Sequence, residues 1–148
     1  MTTLTKIVLD VETIPRVDLD FMNNTHFEEV AMVNSLGELI DDYQQSERDK
    51  VALTQALDDW LQHTQTHFTR ENELMIDIGF PMYPMHSGEH SRVLEDMKDK
   101  LVLWKQQHDI DLLAQYVFID WPLWFEAHVN SMDMITARFT LMNGYQQD

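Results

Sequence analysis

Four long segments of the chain carry apolar side chains at alternating steps of three and four residues, the spacing of one face of an α-helix. Such segments fold by burying these faces against one another. Glycine and proline number only four each in 148 residues, so few turns are available and many short strands are not expected. Helices are predicted at about residues 18–43, 46–78, 84–107 and 110–142. The expected fold is all-α: an up-down-up-down four-helix bundle over residues 18–148, after a short N-terminal arm over residues 1–17.

Local signals suggest where these helices begin and end. Ser46 with an acidic residue three positions on is typical of an N-cap for the second helix. Gly79 and Pro81 should end that helix. Pro122 lies inside the fourth periodic segment, where it should kink the helix or restart it with Asp120 as a new N-cap.

Composition excludes several classes of protein. The formal net charge of −16 disfavours binding to nucleic acid or to anionic lipid. The absence of cysteine excludes disulfides and thiolate ligands, so any metal must be held by histidine and carboxylate. No secretory signal is visible, and no apolar stretch reaches the roughly 18 residues of a membrane span. We therefore expect a cytoplasmic protein without membrane insertion, with a monomer favoured.

Polar side chains interrupt all four predicted apolar faces. A buried polar group is costly unless it is hydrogen-bonded or paired. A single histidine in such a position is more often a hydrogen-bonded core residue than a ligand, but five histidines spread over four helices can be satisfied together by one metal centre. Imidazole and carboxylate are ligands of iron, manganese and zinc. The residues concerned are His26, His67, Glu71, His86, His90 and His128.

The spacing of these residues bears on how they could bind a metal. Residues four apart lie on one face of a helix, so His86 and His90 can bind one ion side by side, as can His67 with Glu71. His128 and Asp133 are five apart, roughly 140° around an α-helix. That separation is poorer for binding one ion, although the carboxylate of Asp133 could reach sideways and bridge two ions.

The ordered set of motifs resembles the hemerythrin family, in its bacterial single-domain form. The resemblance covers about residues 20–140 and rests on five histidines and two carboxylates that match in order and spacing. The motifs are "MNNTH" ending at His26, "HFTRENELM" with His67 and Glu71, "HSGEH" with His86 and His90, and "WFEAHVNSMD" with Trp124, His128 and Asp133.

The resemblance implies a bundle around two non-haem iron ions (Fe2+/Fe3+) with an oxo or hydroxo bridge. It implies that O2 binds reversibly as hydroperoxide at an open position on the second iron, and that Trp124 helps to wall the site. The implied ligands are His86, His90 and His128 on one iron, His26 and His67 on the other, and Glu71 and Asp133 as bridges.

Other residues and the activity itself stay open at this point. His63 could be an alternative ligand, a hydrogen-bond donor to a ligand, or a surface residue, and the last two are favoured. Glu29 could hydrogen-bond a ligand, Glu89 should point outward into solvent, and His108 suits a helix C-terminus. The favoured function is an oxygen carrier, store or supplier rather than an enzyme. The alternatives are a redox enzyme or sensor acting on nitric oxide or peroxide, and a metal-storage bundle.

Overall fold

The chain forms four long helices in a computed structural model, which describes residues 7–145. Helix α1 spans Asp20–Ser46, α2 spans Lys50–Asp77, α3 spans Tyr83–Gln107, and α4 occupies residues 110–142. A single 3-10 turn, Val11–Thr13, precedes them, and the described residues contain no strand. The all-α four-helix bundle is therefore confirmed. Among the described residues, no helix is both long enough and apolar enough to cross a membrane.

The four helices pack around one apolar core. Its largest fully buried side chains include Trp60, Trp104 and Phe125, which come from α2, α3 and α4. Tyr43 of α1 meets Trp104 edge-on, with 5.2 Å between ring centroids. Large aromatic side chains bury much apolar surface and account for much of the stability of a core of this size.

The connection from α1 to α2 differs from the prediction. Ser46 is the last residue of α1 and donates its hydroxyl to the carbonyl of Asp42 at 2.9 Å, so it is not the N-cap of α2. The chain reverses instead through Glu47 and Asp49, which both have left-handed backbone angles with φ of 54° and 64°. Gly79 (φ 65°) follows α2 closely, as predicted.

Helix α4 is continuous but irregular. Three α-helical pieces, Ile110–Gln115, Trp121–His128 and Met134–Met142, are joined by two π-helical segments, Tyr116–Asp120 and Val129–Asp133. The prediction that Asp120 restarts the helix is wrong, because Asp120 has helical backbone angles and makes no capping hydrogen bond.

The first π segment explains how the helix continues through Pro122. The N–H of Trp121 bonds to the carbonyl of Tyr116, five residues back, instead of four. A wider turn just before proline relieves the clash between its ring and the carbonyl of the preceding turn.

The second π segment moves the inner face of α4 by one residue. The periodic pattern predicts Ile135, Phe139 and Met142 as core residues, yet Ile135 is 58% exposed and Met142 is 79% exposed. Thr136 and Thr140 are buried in their place. A π turn contains one more residue than an α turn, so an ordinary helical count that passes through it is displaced by one.

The described part of the arm docks on α1 through one side chain. The Asn34 side chain accepts from the N–H groups of Val8 and Leu9 at 2.9 and 3.0 Å, and donates to the carbonyl of Leu9 at 2.9 Å. Gly37 lies beneath the arm, where a Cβ atom would come 2.6 Å from the side chain of Val8. The first six residues of the predicted arm lie outside the described residues.

Replacing Asn34 with alanine is expected to lower the free energy of unfolding by about 1–3 kcal/mol, because it leaves partly buried backbone groups of the arm unpaired. Urea denaturation followed by circular dichroism measures this. Asn24→Ala is the matched control, since Asn24 lies exposed on the same helix. Equal denaturation midpoints for the two variants would show that the arm does not depend on Asn34.

Candidate metal centre

The structure brings together all seven residues that the sequence predicts as metal ligands. They form two buried groups, and within each group one ligand atom from every residue lies within 4.8 Å of the others. Glu71 belongs to both groups. The first group is Glu71, His86, His90, His128 and Asp133, and the second is His26, His67 and Glu71.

The atoms of the first group converge on one point. His86 Nε2 and His128 Nε2 are 3.2 Å apart, and each is 3.1 Å from Asp133 Oδ1. His90 Nε2 is 3.3 Å from Glu71 Oε1. Ligands that are each about 2.1 Å from one ion lie about 3 Å from their neighbours, so these separations suit a shared metal ion.

Both carboxylates extend from the first group to the second. Glu71 directs Oε1 toward His90 and places Oε2 2.7 Å from His67 Nε2. Asp133 directs Oδ1 toward the first group and places Oδ2 3.0 Å from His26 Nε2. Each carboxylate therefore has one oxygen for each group, which is the arrangement of a carboxylate that bridges two ions.

Hydrogen bonds at the far side of three imidazoles hold their Nε2 atoms toward the cluster. His86 Nδ1 is 2.8 Å from Thr136 Oγ1, and His90 Nδ1 is 2.8 Å from Asn72 Oδ1. His67 Nδ1 is 3.2 Å from a carboxylate oxygen of Glu29. Histidines that bind metals usually donate their other N–H in this way. The sequence reading did not find Asn72 or Thr136, and Thr136 reaches the inner face only because of the π segment.

Three of the potential ligand atoms in the two groups are buried without a hydrogen-bond partner among the described residues: Glu71 Oε1, His90 Nε2 and Asp133 Oδ1. Buried polar atoms rarely lack partners. A metal ion would satisfy all three, and the nitrogen and oxygen donors suit iron, manganese or zinc. His26 Nδ1 also lacks such a partner, and a metal on Nε2 would not change that. The residues therefore fit a resident metal centre.

The second π segment lies between His128 and Asp133 and aligns them. In an ordinary α-helix, residues five apart point in different directions, and this pair was expected to be poorly placed for one ion. Residues five apart face the same way when the backbone bonds run to the fifth residue. The structure thus corrects the expectation: His128 Nε2 and Asp133 Oδ1 are 3.1 Å apart.

The carboxylates of Glu71 and Asp133 are both ionised. Burial raises the pKa of Glu71, as does the charge of Asp133, but His67 and His90 outweigh both effects and bring the pKa to about 2. Burial also raises the pKa of Asp133, but the charge and hydrogen bond of His128 hold it well below its usual value. Ionised carboxylates are ready to bind cations.

Aromatic side chains cover the cluster, and the structure refines the role predicted for Trp124. Its ring stacks on His128 with 4.6 Å between centroids, so it covers the three-histidine group. Phe68 stacks on His90 at 4.0 Å and lies 5.1 Å from His67. Phe125 meets His26 edge-on at 5.6 Å. The apolar cover of His26 and His67 thus comes from Phe125 and Phe68, which the sequence reading missed although each directly follows a motif residue.

The expectation that Glu89 points outward into solvent is corrected by the structure. Its Oε1 accepts the indole N–H of Trp124 at 2.8 Å, and Arg92 donates to both of its oxygens at 2.6 and 3.0 Å. These hydrogen bonds, with that of Arg92 the stronger effect, lower the pKa of Glu89 to about 2. Glu89 therefore holds Trp124 in its position over His128.

Replacing Glu89 with alanine is expected to lower the free energy of unfolding by about 1–2 kcal/mol, because the indole N–H of Trp124 loses its acceptor. Chemical denaturation measures this, and Glu95→Ala is the control because Glu95 lies exposed on the same helix. If both variants denature at the same point, the contact between Glu89 and Trp124 contributes nothing to stability.

The three remaining candidate residues lie outside the two groups. His63 places Nδ1 2.9 Å from Glu29 and Nε2 3.1 Å from Glu28, so the structure does not support its use as an alternative ligand. The expectation that Glu29 hydrogen-bonds a ligand is confirmed by its contact with His67. His108 follows the last residue of α3 and bonds its N–H to the carbonyl of Trp104.

A four-helix bundle with a buried cluster of histidines and carboxylates defines a metal-binding protein of the helical-bundle class. A family described as "Hemerythrin HHE cation binding domain" matches residues 17–138. The chain belongs to the hemerythrin family, and the resemblance seen in the motifs is confirmed.

Two proteins named bacteriohemerythrin are similar to the chain. The one from Aquifex aeolicus (strain VF5) is 29% identical over 118 residues, which cover 80% of this chain and 86% of that protein. The one from Ralstonia nicotianae (strain ATCC BAA-1114 / GMI1000) is 32% identical over 90 residues, which cover 60% of this chain and 64% of that protein. No solved structure gives a significant match.

Proposed function

We propose that this chain is a non-haem di-iron protein that binds and releases O2, as a carrier, store or local supplier. The observation that carries the proposal is that Glu71 and Asp133 each direct one oxygen toward one histidine group and the other oxygen toward the second group. Two bridging carboxylates need two ions close together. Enzymatic turnover is not part of the proposal, and the cytoplasmic location stays an expectation from the sequence.

The proposed ligand set is unequal on its two sides. One ion would be held by three histidines, His86, His90 and His128, and the other by two, His26 and His67. Glu71, Asp133 and an oxo or hydroxo group would be shared by both ions. The side with fewer donors is where a small molecule has room to bind. Two ferrous ions would supply the two electrons that O2 takes up on binding and returns on release.

The surrounding side chains suit reversible binding of a small apolar molecule. His26 and His67 are 0% and 5% exposed, and Phe125 and Phe68 pack against them. Apolar cover of this kind keeps water from the bound molecule and disfavours its loss as a charged species. A metal-storage bundle would not need this dry cover over the side with fewer donors.

Visible spectra of the iron-loaded protein test the proposal. The metal-free protein is loaded with Fe2+ without oxygen, and the spectrum is recorded before O2, after O2, and after O2 is removed. We expect a charge-transfer band that appears with O2 and disappears without it over several cycles. A band that never reverses, with continuous consumption of peroxide or nitric oxide, would instead identify a redox enzyme. No band at all would favour metal storage.

A further inference from the structure

Glu29 is a buried carboxylate that is not one of the predicted ligands. It is 1% exposed and accepts hydrogen bonds from four side chains. Because all four of these contacts are with donors, the side chain of Glu29 acts only as an acceptor, as an ionised carboxylate does. The donors are Trp60 Nε1 at 3.1 Å, His63 Nδ1 at 2.9 Å, Thr64 Oγ1 at 3.1 Å and His67 Nδ1 at 3.2 Å.

The two imidazoles share a single oxygen. His63 and His67 both bond to Oε1 of Glu29, and Trp60 bonds to Oε2. The Thr64 hydroxyl divides its one proton between Oε1, at 3.1 Å, and the carbonyl of Trp60, at 2.9 Å. The bond from His63, at 2.9 Å, is shorter than the bond from His67, at 3.2 Å. The two imidazoles therefore compete for the electron density of one oxygen.

We propose that Glu29 and His63 are positioning residues that act in opposite directions on the metal ion held by His67. Glu29 accepts the Nδ1–H of His67 and makes its Nε2 a stronger electron donor to the metal. His63 donates a hydrogen bond to the same oxygen, which weakens the bond between Glu29 and His67 and so reduces that effect. This inference rests on the proposed function only in requiring that His67 holds a metal ion.

The direction of the effect on the metal follows from charge. A more strongly donating imidazole stabilises the more highly charged, oxidised metal ion, and so lowers its reduction potential. Glu29→Gln removes the negative charge and should raise the potential. His63→Leu removes a competing donor and should lower it. A merely structural role would loosen the site in both variants and shift the potential in one direction.

Glu28→Gln is the matched control for the loss of a carboxylate. Glu28 directly precedes Glu29, but its side chain is 66% exposed and lies 3.1 Å from Nε2 of His63, the nitrogen that faces away from Glu29. Solvent and salt screen such a charge, so we expect a much smaller change. Thr64→Val is a second variant in case Glu29→Gln does not fold. The Thr64 hydroxyl shares one proton between Oε1 and the carbonyl of Trp60, so its loss should shift the potential in the same direction as His63→Leu but by less.

Spectroelectrochemistry of the iron-loaded variants at one fixed pH measures the reduction potential. We expect Glu29→Gln to change the ratio of oxidised to reduced iron by about tenfold at a given potential, which is about 59 mV for one electron. His63→Leu and Thr64→Val should shift it the other way. Shifts in one direction for all variants, or no shift, would overturn the proposal.

A second measurement does not depend on iron or oxygen. In the zinc-loaded protein, nuclear magnetic resonance of 15N-labelled histidine reports the Nδ1–H proton of His67. Its signal should move upfield in Glu29→Gln and downfield in His63→Leu as its hydrogen bond weakens or strengthens. An unchanged signal in both would overturn the proposal even if O2 binding is confirmed. If the signal moves as expected and O2 does not bind, only the proposed function fails.

Discussion

Glu71→Ala is expected to abolish the two-metal centre, reducing the iron content from two ions per chain to one or none. Glu71 belongs to both groups of ligand atoms, and it directs a different oxygen to each. Its loss removes a donor from both ions together. Changing a group that only contacts a ligand typically weakens metal binding about 10- to 100-fold, and losing the bridge itself should weaken it more.

Glu73→Ala is the matched control for this experiment, because Glu73 lies exposed on the same helix two residues on. It should keep the iron content and the O2 response of the parent protein. Iron analysis after anaerobic loading and desalting makes the measurement. A Glu71→Ala variant that retained two irons and still bound O2 would refute the ligand assignment.

Metal loading is expected to raise the free energy of unfolding by about 4 kcal/mol for each bound ion when free metal is a thousandfold above its dissociation constant. The metal-free bundle buries two ionised carboxylates and five histidines, with three ligand atoms unpaired within the described residues. A metal ion pairs these groups in the folded chain, whereas the unfolded chain has no preformed site.

Denaturation of the loaded and metal-free proteins, the latter with a chelator present, measures this gain. Glu71→Ala provides an internal check, since it should lose most of the gain from metal while folding as a bundle without it. If the loaded and metal-free proteins denature at the same midpoint, the cluster does not bind metal tightly in the folded state.

The helices and the predicted ligands could be read from the sequence because both follow the α-helical period. His67 with Glu71, and His86 with His90, lie four apart on regular helices, and the structure places each pair on the inner face. Each helix needs only its own period for this prediction. These faces account for the five histidines and Glu71, whereas Asp133 as a bridge and the division of the ligands between two ions were implied by the resemblance to the hemerythrin family.

The parts that could not be predicted depend on departures from that period or on distant contacts. The π segment after His128 moves Thr136 into the site and Ile135 to the surface, and no local pattern in "VNSMD" signals this. Glu89 and Trp124 are 35 residues apart. Their contact, like that of Glu29 with His63, depends on the position of one helix along the axis of its neighbour. Helical periodicity does not determine that position.

If the proposed function holds, two iron ions in one chain together bind one O2 reversibly. The most direct test adds Fe2+ in steps to the metal-free protein without oxygen, then measures the O2 taken up at each step and the O2 recovered when its pressure is lowered. We expect uptake to stop rising at two irons per chain, with one O2 bound per two irons and nearly all of it recovered. O2 that is consumed and not recovered, or uptake that is complete at one iron per chain, would contradict the claim.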